Sequence, residues 1–155
     1  MAEVHVGLDG IVVAKTRMSK VIGDEGRLIY AGYDIHDLAE RATFEEIAYM
    51  FWYCCLPNQR QLASFEDNLR SRRNIPFHVM DLIRSAPTLQ SHPMSVLRTA
   101  VSALALGDPG SNDISQVSNL RRAADLTARI PTIVAAHDRN RKGLEVIGPR
   151  EDLDH

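Results

Sequence analysis

A chain of 155 residues can bury about 68–70% of the surface its unfolded form exposes, so a core needs no metal or disulfide staple. Its hydrophobic fraction of 45% and charged fraction of 25% are those of one ordinary globular domain. A formal net charge of −2 excludes a general electrostatic pull towards nucleic acid or an anionic membrane.

Residues 5–33 read as short extended pieces. Val4–Val6, Ile11–Val13 and Arg27–Tyr30 carry the β-branched and aromatic content of strands. Gly7, Gly10, Gly23 and Gly26 mark turns between them. No helical pattern precedes Asp34, which is placed to cap a short helix running to about Glu40.

Thr43-Phe44-Glu45-Glu46 is a capping box. The Thr43 hydroxyl accepts the Glu46 N–H, and the Glu46 carboxylate accepts the Thr43 N–H. The helix it opens is apolar nearly all round from Ile47 to Leu56, so deep burial is expected before Pro57 ends it. Cys54 and Cys55 lie in this run. Adjacent cysteines rarely bond to each other, because the geometry strains the backbone. Two buried, reduced thiols are the expectation. The run is half the length of about 20 residues that a bilayer requires. Met1–His5 lacks the basic and apolar segments of a signal peptide, so the expected location is the cytoplasm.

Asn58 is the cap of an amphipathic helix over about Gln59–Arg73, with Leu62, Phe65 and Leu69 on one side. Glu66 and Arg70 form an i,i+4 pair on the other, a contribution of about 0.3–0.5 kcal/mol. Pro76 suits the first turn of a helix to about Ser85 that turns Val79, Leu82 and Ile83 inward. Ser91-His92-Pro93 opens the next helix. Met94, Leu97, Val101 and Leu104 make its seam, while Ala100, Ser102, Ala103 and Ala105 keep it slim enough for close approach by another helix. Gly107–Asn112 is a loop.

The last helix spans about Ile114–Lys142, with Val117, Leu120, Ala124, Leu126, Ile130, Ile133 and Val134 on its apolar side. Pro131 lies inside it, without a donor N–H and crowding the Thr127 carbonyl, at a cost of about 3 kcal/mol. Periodicity continues on both sides, which predicts a kink rather than a break. Arg139, Arg141 and Lys142 complement the helix dipole, and Gly143 is the stop. The whole is read as one partial domain, 1–155: a β-rich segment over 1–33, a helical region over 34–143 and a tail over 144–155.

Chemistry-bearing patterns are sparse. Of the six histidines, His5, His36, His78, His92, His137 and His155, none stands at zinc-ligand spacing to another histidine or a cysteine. His36 and Glu40 share a helix face four residues apart, as solvated pairs commonly do, and His92 is placed to cap or pack locally. No Gly-x-Ser-x-Gly elbow occurs. Gly7-Leu8-Asp9-Gly10 and Gly23-Asp24-Glu25-Gly26 are too short and acidic to cradle phosphate. Asp24-Glu25, Glu45-Glu46, Glu66-Asp67 and Glu151-Asp152 sit in turns, helices or the tail. Arg121-Arg122 and Arg139–Lys142, with no interleaved aromatics, read as a solvated helix face. The residues by themselves support no catalytic, cofactor-binding or metal assignment.

Ordered motifs add a family. Gly7-Leu8-Asp9-Gly10-Ile11-Val12-Val13-Ala14 resembles the Gly-Leu-Glu-Gly-Val opening of bacterial and archaeal citrate synthases. Gly26–Leu38 is similar to their next block, and Thr43–Tyr49 with Leu56-Pro57 continues it in register. His92-Pro93-Met94-Ser95-Val96-Leu97-Arg98-Thr99-Ala100-Val101-Ser102-Ala103-Leu104 is the most specific stretch. Ile130-Pro131-Thr132-Ile133-Val134-Ala135-Ala136 resembles the family's long kinked helix. 2-Methylcitrate synthases share the pattern.

The resemblance implies a mainly α fold: the N-terminal part of the large helical domain, preceded by a small β-rich segment. It also implies an acyltransferase that condenses acetyl-CoA with oxaloacetate. In that chemistry a carboxylate takes a methyl proton, histidines stabilise the enol and polarise the ketone, and arginines hold oxaloacetate. Those groups lie in later family blocks. Asp152-Leu153-Asp154-His155 resembles the start of the next family segment, so no residue of this chain inherits a catalytic role and no cofactor is assigned. The expectation is therefore an inactive N-terminal part of a synthase; the other reading is a non-catalytic helical module. Family position makes His92–Leu106 the expected surface for a homodimer or for pairing with a complete synthase subunit. Relatives often have glycine where this chain has Cys54, so the ending of that helix must use something else.

Overall fold

The computed structural model describes residues 7, 11–12, 14–87, 90–150 and 152–153. Contacts gather into two compact units, Met1–Pro57 and Asn58–His155.

The first unit holds a three-stranded antiparallel sheet in the order β1 (Ser19–Ile22), β2 (Arg27–Tyr30), β3 (Tyr33–Asp34). Ser19 faces Tyr30, Ile22 faces Arg27, and Ile29 faces Asp34. A single 3-10 turn, Gly23–Glu25, joins β1 to β2. Gly26 closes it at φ 63°, donating its N–H to the Gly23 carbonyl. The β2–β3 link has only Ala31 and Gly32 at its centre, both at positive φ (47° and 96°). That sign pattern suits a two-residue hairpin loop, because it matches the twist of the strands. Gly32 adopts it freely, whereas Ala31 does so at about 1 kcal/mol. The Arg27 guanidinium spans to Glu25 and to Asp34, each at 3.2 Å.

Helix α1 (Ile35–Arg41) starts where the Asp34 carboxylate accepts the His36 N–H at 3.1 Å, and it buries Leu38. That N–H, with Arg27 beside it, holds the Asp34 carboxyl below its ordinary value. Helix α2 (Phe44–Tyr53) begins with the expected box: Glu46 N–H to Thr43 Oγ1 at 3.2 Å and Thr43 N–H to Glu46 Oε2 at 2.8 Å. The Phe51 ring meets Tyr30 edge-on at 4.9 Å, so α2 and the sheet share one apolar contact surface.

Several expectations for this unit change. Ile11–Val12 form no strand, β1 lies in a stretch for which no strand was named, and Val4–Val6 and Val13 lie outside the described residues. Helix α2 stops at Tyr53 rather than Leu56. Cys54 turns left-handed (φ 59°) while its N–H still reaches the Met50 carbonyl at 2.7 Å. Leaving the helical path there puts Cys55 in solvent and Cys54 half-buried, so the pair is not the buried one expected. Burial along α2 is confined to Glu45, Tyr49 and Met50, with Phe44 and Tyr53 about half exposed.

The second unit is helical. Helix α3 (Gln59–Arg70) opens with a second capping box, Asn58 and Gln61 exchanging two bonds of 2.9 Å. It buries Phe65 and Leu69 and ends three residues before the expected Arg73. Helix α4 (Phe77–Ser85) follows Pro76, which is the cap rather than a first-turn residue. The Pro76 carbonyl accepts the N–H groups of Val79 and Met80 at 3.0 Å. Helix α5 (Pro93–Leu104) is capped by His92, whose Nδ1 accepts the Met94 N–H at 3.2 Å, with Pro93 in the first turn. Helix α6 (Gln116–Arg141) runs unbroken through an exposed Pro131. Its 26 residues make a rod of about 39 Å. Gly143, at φ 67°, ends it: its N–H reaches the Asn140 carbonyl at 3.0 Å and the Leu144 N–H reaches that of Arg139 at 2.9 Å. Those two bonds are a Schellman stop, which needs the left-handed residue.

The core of this unit is Val79, Ile83, Ala100, Ala103, Ile133 and Ala136, flanked by Leu82, Leu97, Leu104 and Val146. Burying Val79, Ile83 and Ile133 contributes about 1.5–3 kcal/mol each. Ala100 and Ala103 are spent here: the slim face of α5 lets α4 and α6 approach inside the chain's own core. Among the described residues no helix is long and apolar enough to cross a membrane.

Candidate functional site

A hollow of the second unit lies between the N-terminal half of α6, the end of α5 and the start of α4, with a volume of about 560 Å³. Val101, Leu104 and Leu126 supply an apolar side. Asp108, Arg121, Arg122, Asp125 and Arg129 supply a charged one.

The charged side is built from helix spacing. Arg121, Asp125 and Arg129 stand four apart on α6, one above another. The Asp125 carboxylate takes Arg72 at 2.9 Å, Arg121 at 3.5 Å and Arg129 at 3.8 Å. Arg129 also donates its Nε to the carbonyls of Arg72 and Asn74, tying α6 to the strap between α3 and α4. Asp108, in the loop after α5, takes Arg121 at 2.6 Å and Arg122 at 3.1 Å, and accepts the Gly110 N–H at 3.1 Å. Arg122 reaches on to the Gly110 carbonyl and to Asn119. The two guanidiniums and the loop N–H hold the Asp108 carboxyl below the usual carboxylate range. Beside it, the His78 Nε2 meets the Ala103 carbonyl at 3.0 Å. A carbonyl only accepts, so that nitrogen carries the proton.

Three lining guanidiniums face two carboxylates, and each is ion-paired within the network. This arrangement can fix a loop and two helices against α6. A poised acid, base or nucleophile is a different thing, since such a group must be free to exchange a proton with a reacting atom.

The sequence singled out other residues. His36 and Glu40 are exposed on α1, and no group of three His, Cys, Asp or Glu side chains that could hold a metal occurs among the described residues. His92 is a helix cap. Arg121 is exposed and Arg122 half-buried, and both are tied into the ion-pair network of Asp108 and Asp125. The i,i+4 spacing of Arg121, Asp125 and Arg129 was the available signal. Asp108 carried none, because its partners lie 13 and 14 residues away.

A family model described as citrate synthase, C-terminal domain, matches residues 7–155. A citrate synthase of Haloferax volcanii is 39% identical over 157 residues, covering 99% of this chain and 41% of the relative. A 2-methylcitrate synthase of Mycobacterium tuberculosis is 38% identical over 151 residues, covering 97% of this chain and 38% of the relative. The crystal structure of citrate synthase from Pyrobaculum aerophilum superimposes with a TM-score of 0.87 at 34% identity, over 96% of this chain and 39% of that one. The chain thus spans about two fifths of the length of the relatives it matches.

Proposed function

This chain belongs to the citrate synthase family, and on that premise we propose that it is the N-terminal part of an acyl-transferring synthase scaffold, inactive by itself. The family reaction joins acetyl-CoA, oxaloacetate and water to give citrate and CoA. The similarity to both citrate and 2-methylcitrate synthases supports that reaction class and leaves the acyl group and the keto acid open. The observation that carries the reading is the match across residues 7–155 over only about two fifths of each relative. The chain's own groups agree with it: His78 is spent on a carbonyl, His92 on a cap and Asp108 on two arginines. The unpaired thiols Cys54 and Cys55 support a cytoplasmic setting.

The test is CoA release, followed with a thiol reagent, from acetyl-CoA plus oxaloacetate. Because Cys54 and Cys55 also react with such a reagent, a no-substrate blank is subtracted. No turnover above that blank is expected. Sustained release dependent on oxaloacetate would show that the catalytic groups lie within these 155 residues and would sink the reading.

A second reading, a helical module that pairs with itself or with a complete subunit, is favoured by one observation. With Ala100 and Ala103 inside the core, α5 still presents Met94, Ser95, Arg98, Thr99, Ser102 and, just beyond its end, Leu106 outward. An interface at His92–Leu106 would use that opposite side.

A further inference from the structure

The segment after α6 folds back along it and encloses a second hollow of about 400 Å³. Much of its wall is hydrocarbon, from Pro131, Ala135, Ile147 and Leu153. Two guanidiniums, Arg73 and Arg139, line the same hollow with no counter-charge among the described residues.

Arg73 is the informative one. It is 8% exposed, and its Nη1 donates to the carbonyls of Arg150 at 3.0 Å and Leu153 at 2.7 Å. Among the described residues no carboxylate lies within ion-pair distance of it, and its Nε and Nη2 make no hydrogen bond. Arg139 donates its Nε to the Glu145 carbonyl and likewise has no carboxylate partner among the described residues. Arg150, a third arginine of the wall, is already neutralised by Asp152.

Carbonyl groups satisfy N–H donors but bring no net negative charge, and an enclosed cation without one is unfavourable. Two nitrogens of one guanidinium form a planar fork that matches the two oxygens of a carboxylate. The hollow is at the small end of the range of about 300–1,000 Å³ typical of small-molecule sites. An inorganic anion would meet the charge and leave the apolar wall bare; a neutral alcohol would do the reverse.

We propose that this hollow binds a small organic carboxylate, its headgroup between Arg73 and Arg139 and its hydrocarbon body along Pro131, Ala135, Ile147 and Leu153.

The test is calorimetric titration of the 155-residue chain with hexanoate at low ionic strength, with acetate and 1-hexanol as parallel arms. Hexanoate is expected to saturate one site. Acetate, lacking the body, and 1-hexanol, lacking the charge, should each bind at least about tenfold more weakly. Arg139→Gln should weaken hexanoate by about tenfold with the circular dichroism spectrum and melting midpoint unchanged. Arg73→Lys, which keeps the charge and loses the fork, should weaken it as well. Saturable hexanoate binding that ignores both substitutions, or 1-hexanol binding as tightly as hexanoate, overturns the proposal. So does the absence of saturable binding in the unaltered chain.

Discussion

At the scale of single residues, the ion pairs around α6 decide more than the isolated histidines do. Asp108 has no helix of its own, yet two guanidiniums and a loop N–H converge on it. Its carboxyl is held below its ordinary carboxylate value, so the native state prefers the charged form more strongly than the unfolded chain does. The resulting stabilisation is complete at pH values above that ordinary carboxylate value. It is lost as pH falls through the depressed native one. Urea unfolding at a series of pH values should therefore show Asp108→Asn less stable than the parent at pH 7, with the gap closing towards pH 3. A gap that stays constant across that range would mean that Asp108 acts by shape and not by charge. The sequence showed Arg121 and Arg122 but not this role, because charge pairing across a loop depends on where the chain returns, which spacing along the chain does not encode.

At the scale of elements, the starts of helices were legible and their ends less so. Asp34, Thr43, Asn58 and His92 all cap the helices they were read to cap. A start is written in one side chain and the N–H it accepts, a contact of two or three residues. Ends depend on the backbone leaving its path, and on what lies next to it. Helix α2 shows this: hydrophobicity continues to Leu56, but the helix stops at Cys54, which is left-handed without being glycine. A Cβ in that conformation costs about 1 kcal/mol, so Cys54→Gly should raise stability by about that amount. The check is the urea midpoint at unchanged m-value. A lower midpoint would mean that the half-buried thiol contributes more than the backbone strain removes. Gly143, by contrast, was legible as a stop, because the residue that ends α6 is the one best suited to a positive φ.

At the scale of the whole chain, the mainly helical character and a small β-rich start were readable from helical periodicity and glycine punctuation, although of the three strands only β2 lies where one was read. The division at Pro57 was not, since composition changes at residue 33 while contacts regroup later, after α1 and α2 have joined the sheet. The hollows were also invisible: each is lined by residues from three or more segments. Exposed apolar side chains are the other whole-chain property. Leu106, Ile114 and Val117 are 83%, 87% and 80% exposed around the α5–α6 connection. Such groups favour association when they gather into a patch. Sedimentation velocity should show mass increasing with concentration, and an apolar dye should brighten on binding. A concentration-independent monomer with no dye response would contradict this.

Helix α6 carries a consequence for the order of synthesis. It is the main helical partner of α3 and packs on both α4 and α5, yet it is made after all three. At translation rates of about 5–20 residues per second, α3 leaves the ribosome several seconds before Arg141 does. During that interval Val79 and Ile83 have no α6 to cover them. The apolar faces of the earlier helices must therefore be kept from other partners until the longest helix is complete.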